Sequence, residues 1–297
     1  MSKIYVVGSI NMDLIINTDI VPEAGMTVTG YGFMTNPGGK GANQAVAVAK
    51  CGGAVQMVGA VGNAFGAELT DTLKGYGVDT TNVYPFAEVS SGIAVITVNH
   101  GENRIILDSG ANGLVSAQMA EKALADAQPG DYLVVQLEIP VETVMAALQI
   151  ARSKHMRTIL NPAPACALPE EIWELADYFI PNQTETAFYT GIYPDTVEKA
   201  QQAAAMLMEK GVGQVIITLG SQGALSVSAE QTVMAEACRV EAIDTTAAGD
   251  TFVGALVTRL SEGADIQQAM LFANKASAIT VTRRGAQQAI PTRKEIG

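Results

Sequence analysis

The sequence predicts an α/β protein: a three-layer α/β/α sandwich on a mostly parallel central sheet, with a small β-sheet lid beside it. Two observations carry this. From residue 42 onward, short apolar runs alternate with helix-period segments, the rhythm of parallel strands joined by helical crossovers. Before that point, and again around residue 100, strand-like runs follow one another with no helical segment between them. The 297 residues are 48% hydrophobic and 16% charged, enough for one domain over 1–297 with its lid formed by segments around 14–35 and 91–110.

Ile4 to Val7 is a β-branched run ending at Gly8, which suits a buried parallel strand. Leu14-Ile15-Ile16 follows too soon for a helical crossover. Thr27 to Tyr31, Ile93 to Val98 and Arg104 to Leu107 also read as strands, the last two as a hairpin turning at Asn99-His100-Gly101-Glu102-Asn103. Ala42 to Lys50 is a small-residue helix, followed by the strand Val55 to Val61. Ser116 to Ala127 is helical, Tyr132 to Gln136 a strand, Val141 to Lys154 a helix and Thr158 to Leu160 a strand. Tyr178 to Ile180 and Val215 to Leu219 are further strands, separated by helices near Thr184 to Tyr189 and over Thr196 to Lys210. A strand through Val240 and Ile243 is expected to lead into a tight turn at Asp244–Gly249. Beyond the turn, Phe252, Val253, Ala255, Leu256, Val257 and Leu260 recur at helical spacing. In such sheets ligands bind beyond the carboxyl ends of the strands, where most of the unusual residues fall.

The formal net charge of −12 argues against nucleic acid or an anionic membrane as partner. Cys51, Cys166 and Cys238 are odd in number and far apart, so neither a disulfide framework nor a zinc site is expected, and a reducing cytoplasm is the simplest home. No signal peptide is read before the first strand, and no apolar stretch reaches the ~18 residues that span a bilayer.

Five clusters carry chemistry. In Asp244-Thr245-Thr246-Ala247-Ala248-Gly249-Asp250 the free amides of a helix start at Ala248 to Thr251 make an anion site, with Asp250 where a bound phosphate would be met. A helix cap alone would also explain this turn. Asn11 and Asp13 alternate after a strand end and suit recognition of vicinal hydroxyls, or else shape a loop. In Asn36-Pro37-Gly38-Gly39-Lys40-Gly41-Ala42-Asn43 the glycines let backbone approach a ligand beside a lysine. That loop is not a Walker A motif, and the dinucleotide fingerprint is absent after the first strand. Glu138 at a strand end is placed for a substrate hydroxyl or a helix cap. Asn182-Gln183-Thr184-Glu185 is a capping box that also puts Glu185 within reach of Mg²⁺, through water. Thr218-Leu219-Gly220-Ser221-Gln222-Gly223 can offer amides and a hydroxyl to a nucleotide. His100 and His155 lack useful partners and are read as surface residues.

Together, and in their order along the chain, these clusters resemble the PfkB (ribokinase-like) carbohydrate kinase family: Gly38 to Asn43 its N-terminal signature, Asn182 to Glu185 its Asn-x-x-Glu motif, Asp244 to Asp250 its C-terminal signature. The resemblance runs from Gly8 to Pro291. It implies transfer of the γ-phosphate of ATP to the 5-hydroxyl of D-ribose. Asp250 would be the general base, with the amides of Ala247, Ala248, Gly249 and Asp250 as the anion hole. Asn11, Met12, Asp13, Gly39, Lys40, Gly41, Ala42, Asn43 and Glu138 would hold the sugar. Asn182, Glu185, Thr218, Leu219, Gly220, Ser221, Gln222, Gly223, Gly249 and Asn274 would contact ATP. Mg²⁺ would lie near Glu185, and a monovalent cation, K⁺, would use Asp244, Thr246, Thr280, Arg283, Gly285 and Ala289. The lid would cover the sugar and pair two subunits into a homodimer.

The pattern is not perfect. Ala247-Ala248 stands where Gly-Ala is usual, Ala289 replaces a small polar residue, and a terminal helix is expected to be short. Family members acting on deoxyribose, a ketohexose or a nucleoside stay open as rivals, as does a non-catalytic sugar-binding protein.

Overall fold

The computed structural model describes residues 2–99 and 102–297. A nine-stranded sheet has the order β13-β12-β11-β10-β9-β8-β1-β4-β5, with β1 Ile4–Val7, β4 Val55–Gly62, β5 Asp79–Phe86, β8 Tyr132–Val135, β9 Arg157–Leu160, β10 Tyr178–Phe179, β11 Gln214–Thr218, β12 Ala224–Ser228 and β13 Thr232–Ala235. All neighbours are parallel except the β11-β12 and β12-β13 pairs. A separate four-stranded sheet has the order β3-β2-β6-β7: β2 Asn11–Asn17, β3 Tyr31–Gly38, β6 Gly92–Asn99 and β7 Glu102–Asp108. The helices are α1 Lys40–Lys50, α2 Gly66–Gly75, α3 Ala117–Ala123, α4 Val141–Ser153, α5 Gln183–Thr190, α6 Val197–Glu209, α7 Ala248–Ser261, α8 Ile266–Val281 and the single turn α9 Arg293–Ile296.

The central strand β1 shows why three layers form. Its alternate side chains point to opposite faces. Ile4 and Val6 join the core made with Ala45, Val253, Leu256 and Ala273, from α1, α7 and α8. Tyr5 and Val7 join the core made with Ala120, Val144 and Leu207, from α3, α4 and α6. A strand apolar on both faces needs helices on both faces.

The predicted architecture holds, with corrections. The strand expected over Thr27 to Tyr31 instead begins at Tyr31 and runs to Gly38, so the first lid segment spans 11–38; the second spans 92–108. Pro37 inside β3 is tolerated because β3 is an edge strand. No strand passes through Val240 and Ile243, which are exposed at 47% and 61%; the backbone there hangs from the end of α8 through Ile243 N to Val281 O. The helix expected over Ser116 to Ala127 stops at Ala123. The elements α2, β5, β12, β13 and α8 were not expected. The turn at His100-Gly101 lies outside the described residues; the strands on either side pair as expected. His155 is exposed. No helix among the described residues is long and apolar enough to cross a membrane.

Candidate active site

The turn into α7 departs from a capped helix. Ala247 sits at φ 58°, a left-handed conformation costly for a residue with a Cβ, and no side chain caps the helix. The amides of Gly249 and Asp250 have no backbone partner among the described residues. A Cβ on Gly249 would meet nothing within 4 Å, so these donors face open space. Asp250, instead of folding back on its own helix, crosses to α1: Asn43 Nδ2 donates to Oδ2 at 2.9 Å and Gln44 Nε2 to Oδ1 at 3.1 Å. Its carboxylate and the free amides line a cavity of about 200 Å³ with Lys40, Asn161, Asn182, Glu185 and Thr218.

The residues that the resemblance assigns to the sugar converge beside this cavity. Asn11 and Asp13 pair with Gly38 and Asn36 across the β2-β3 ladder and share one face, while Met12 points the other way into the core, leaving only its backbone. Asn112 Nδ2 donates to Asn11 Oδ1 at 2.6 Å, and Ile10 N donates to Asn112 Oδ1, which fixes the Asn11 amide. Glu138 Oε2 accepts from Ser9 Oγ at 2.5 Å and from Lys40 N at 3.2 Å. Gly39 takes φ 90°, and a Cβ there would lie 2.7 Å from Asn11 N, so only glycine lets the loop close on β2. Ala42 is core and its amide is committed to Ser9 O; Gly41 donates its amide to Ser9 Oγ. Asn43 Oδ1 is buried and has no hydrogen-bond partner among the described residues. A cavity of about 370 Å³ opens here, lined by Asn11, Glu138, Asp108, Ser109 and Asn112. Asp108, Ser109 and Asn112 escaped the sequence reading, which treated that stretch as lid alone.

Electrostatics follow from this crowding. Burial pushes the Asp13 carboxyl up to about 7, with Glu138 and Asp250 adding to the rise. Burial alone would lower the Lys40 ammonium, but Asp250, Glu138 and Glu185 outweigh it and the net direction is up. Lys40 therefore stays charged, facing the phosphate-sized cavity as well as the sugar loop.

A larger cavity, about 890 Å³, shares Asn182, Thr218, Thr245, Ala248 and Gly249 with the small one. Gly220, Ser221, Gly223 and Asn274 line it too. Leu219 is core, and Gln222 turns its amide to Asp195 O. Asn274 donates to Ala235 O and Glu236 O, holding the end of β13 against α8. Tyr193, Phe252 and Val240 supply apolar walls that the sequence reading did not assign.

The capping box at Asn182 is complete: Asn182 Oδ1 accepts from Glu185 N, and Glu185 accepts from Asn182 N and Nδ2, both at 2.9 Å. Burial raises the Glu185 carboxyl, offset by the Asn182 amide and Lys40. Both Glu185 oxygens being engaged, Mg²⁺ fits here only through water and the ligand's own phosphates. A monovalent cation finds better provision. Asp244 accepts from Thr246 N and Gly285 N, each at 2.9 Å; burial pushes its carboxyl up, but these bonds and Arg284 bring it below its ordinary value. Several carbonyls of the stretch are already engaged: Val281 O accepts from Ile243 N and Asp244 N, Thr280 O from Arg283 N, Ala286 O from Ala289 N and Gln287 O from Lys50 Nζ. Arg283 sends its side chain to Glu295 and the Thr280 hydroxyl is used by Thr251 and Ala276, so both, like Ala289, offer only carbonyls.

Residues 1–293 match the family described as pfkB family carbohydrate kinase. A ribokinase from Schizosaccharomyces pombe is 43% identical over 308 residues, covering 100% of this chain and 97% of that protein. A deoxyribokinase from Salmonella typhi is 37% identical over 292 residues, covering 97% and 95%. Among solved structures, an Arabidopsis thaliana ribokinase complexed with ribose and ATP shares the fold at a TM-score of 0.91 and 28% identity, covering 99% of this chain and 97% of that one.

Proposed function

Because this chain belongs to the pfkB family of carbohydrate kinases, we propose that it transfers the γ-phosphate of ATP to the 5-hydroxyl of D-ribose, acting as one catalytic domain over 1–297. The carrying observation is Asp250: a buried carboxylate aimed away from its own helix, beside two uncommitted amides, in a cavity continuous with a nucleotide-sized one. Asp250 takes the proton of the sugar hydroxyl as it attacks. The amides of Gly249 and Asp250 and the Lys40 ammonium stabilise charge on the transferring group, which is most of what phosphoryl transfer requires; the Ala248 amide, also expected there, donates to Thr245 O at 3.3 Å. Asp13, Asn11, Asn43 and Glu138 hold the remaining hydroxyls; Asn182, Thr218, Gly220, Gly223 and Asn274 hold the nucleotide. When bound, Mg²⁺ near Glu185 and K⁺ among Asp244, Thr246 and the 280–289 carbonyls neutralise phosphate charge and brace the amide turn.

The Asn11/Asp13 pair supports a sugar with adjacent hydroxyls, hence ribose over 2-deoxyribose. The exposed lid residues Phe33, Ile105 and Ile106 support a homodimer; the charge and unpaired cysteines support a cytoplasmic setting. A coupled ATP-consumption assay over D-ribose, 2-deoxy-D-ribose, D-fructose and nucleosides tests the substrate, with ³¹P NMR of the product. The expected result is the highest kcat/KM for D-ribose and a 5-phosphate product; a higher kcat/KM for any of the others overturns the assignment.

A further inference from the structure

Behind Asp250, its bond to Gln44 continues into a buried chain of side-chain amides. Gln44 Nε2 donates to Asp250 Oδ1 at 3.1 Å and to Asn161 Oδ1 at 3.0 Å. Gln44 Oε1 accepts from Gln136 Nε2 at 2.6 Å, and Asn161 Nδ2 donates to Ile180 O at 2.8 Å. Gln44 and Gln136 are fully buried. Two glutamines in an apolar interior are costly unless their polarity is satisfied, and here one oxygen is not: Gln136 Oε1 is buried with no hydrogen-bond partner among the described residues, so Gln136 is held through its Nε2 alone. Here the direction of every bond is set from the two ends. The Asp250 carboxylate and the Ile180 carbonyl can only accept, so Gln44 must present its NH₂ to Asp250 and its oxygen to Gln136, and Asn161 its oxygen to Gln44. Gln44 stands on α1 and its partners just past strand ends: Gln136 after β8 and two residues before Glu138, Asn161 after β9, and Ile180 after β10 and two residues before Asn182.

We propose that Gln44 is a positioning residue for Asp250, with Gln136 fixing the orientation of its amide, so that the relay holds the carboxylate in the one rotamer that faces the sugar hydroxyl. The inference rests on Asp250 as the base. The relay acts on geometry, and misplacement of a reacting group by about 1 Å is worth up to ~10²-fold in rate. Neither glutamine lines the cavities that hold sugar or nucleotide, so the loss belongs in kcat.

The test uses Gln44→Met, Gln136→Met and Gln44→Glu with Asp250→Asn alongside, each checked for folding by thermal melt. Both methionine variants should lose roughly 10- to 100-fold in kcat with D-ribose KM within about twofold of the parent. Gln44→Glu puts a carboxylate against Asp250, among Lys40, Glu138, Asp13 and Glu185, and the two acids share a proton. Its kcat, divided by that of the parent at each pH, should therefore climb as pH rises. Parental kcat in Gln136→Met, a loss in KM instead of kcat, or a Gln44→Glu to parent ratio flat with pH overturns the proposal. Should Gln44→Met not fold, Gln136→Met, which touches neither Asp250 nor ligand, decides. High turnover in Asp250→Asn would instead overturn the base itself.

Discussion

Burial and the nearby carboxylates of Glu138 and Asp250 disfavour the charged form of Asp13, while Asp250, Glu138 and Glu185 outweigh burial at Lys40 and keep its ammonium charged. The consequence is sharpest at Asp13, whose carboxyl is raised from 3.8 to about 7 by burial first and its neighbours second. A raised folded-state value means Asp13 favours the fold while protonated and loses that contribution as pH climbs through about 7. Asp13→Asn should therefore melt several degrees above the parent at pH 8, with the gain shrinking as pH falls from 7 toward 4. The ceiling is about 4 kcal/mol if the whole shift is expressed. The same variant should bind D-ribose poorly, since a neutral amide replaces an acceptor for two hydroxyls. Thermal melts across pH check the first part and ribose KM the second; equal melting at pH 8 would contradict the electrostatic account.

At the scale of elements, the site depends on how closely α1 and α7 approach. A Cβ on Gly254 would lie 2.5 Å from Ala47 Cβ and 2.7 Å from Gln44 O. Gly254→Ala gains up to ~1 kcal/mol of helix propensity, but the overpacking costs ~1–3 kcal/mol and one clash is with backbone, so destabilisation wins. The variant should lose about 1–2 kcal/mol by denaturant titration, and more than tenfold in kcat as Asp250 moves off Asn43 and Gln44. What was legible in the sequence was local: glycine turns, strand ends and the Asn182 capping box all occupy a few consecutive residues. The β3 strand was misplaced because Pro37 and Gly38 read as a turn, which an edge strand accommodates. Val240 and Ile243 read as a strand because apolarity was taken for burial. The Gln44 relay left no local trace: its partners lie 92, 117 and 206 positions away, and a glutamine in a helix signals a solvent face.

At the scale of the molecule, the small sheet exposes large apolar side chains, Phe33 at 64%, Ile105 at 55% and Ile106 at 73%. A second copy of the chain would bury them. Phe33→Lys combined with Ile106→Lys should convert a dimer to a monomer in sedimentation velocity and raise D-ribose KM, because the lid loses its brace. A monomeric parent would refute this part. The sandwich beneath brings the residues of the proposal together: those proposed for the sugar from β2 and α1, those proposed for the nucleotide from the ends of β10 and β11, and Asp250 on α7. The most direct test of that arrangement is the rate of D-ribose 5-phosphate formation by Asp250→Asn under saturating ATP and D-ribose. The predicted result is a kcat lowered ~10²–10⁴-fold, with ATP and ribose still bound by calorimetry; turnover near that of the parent would contradict Asp250 as the base.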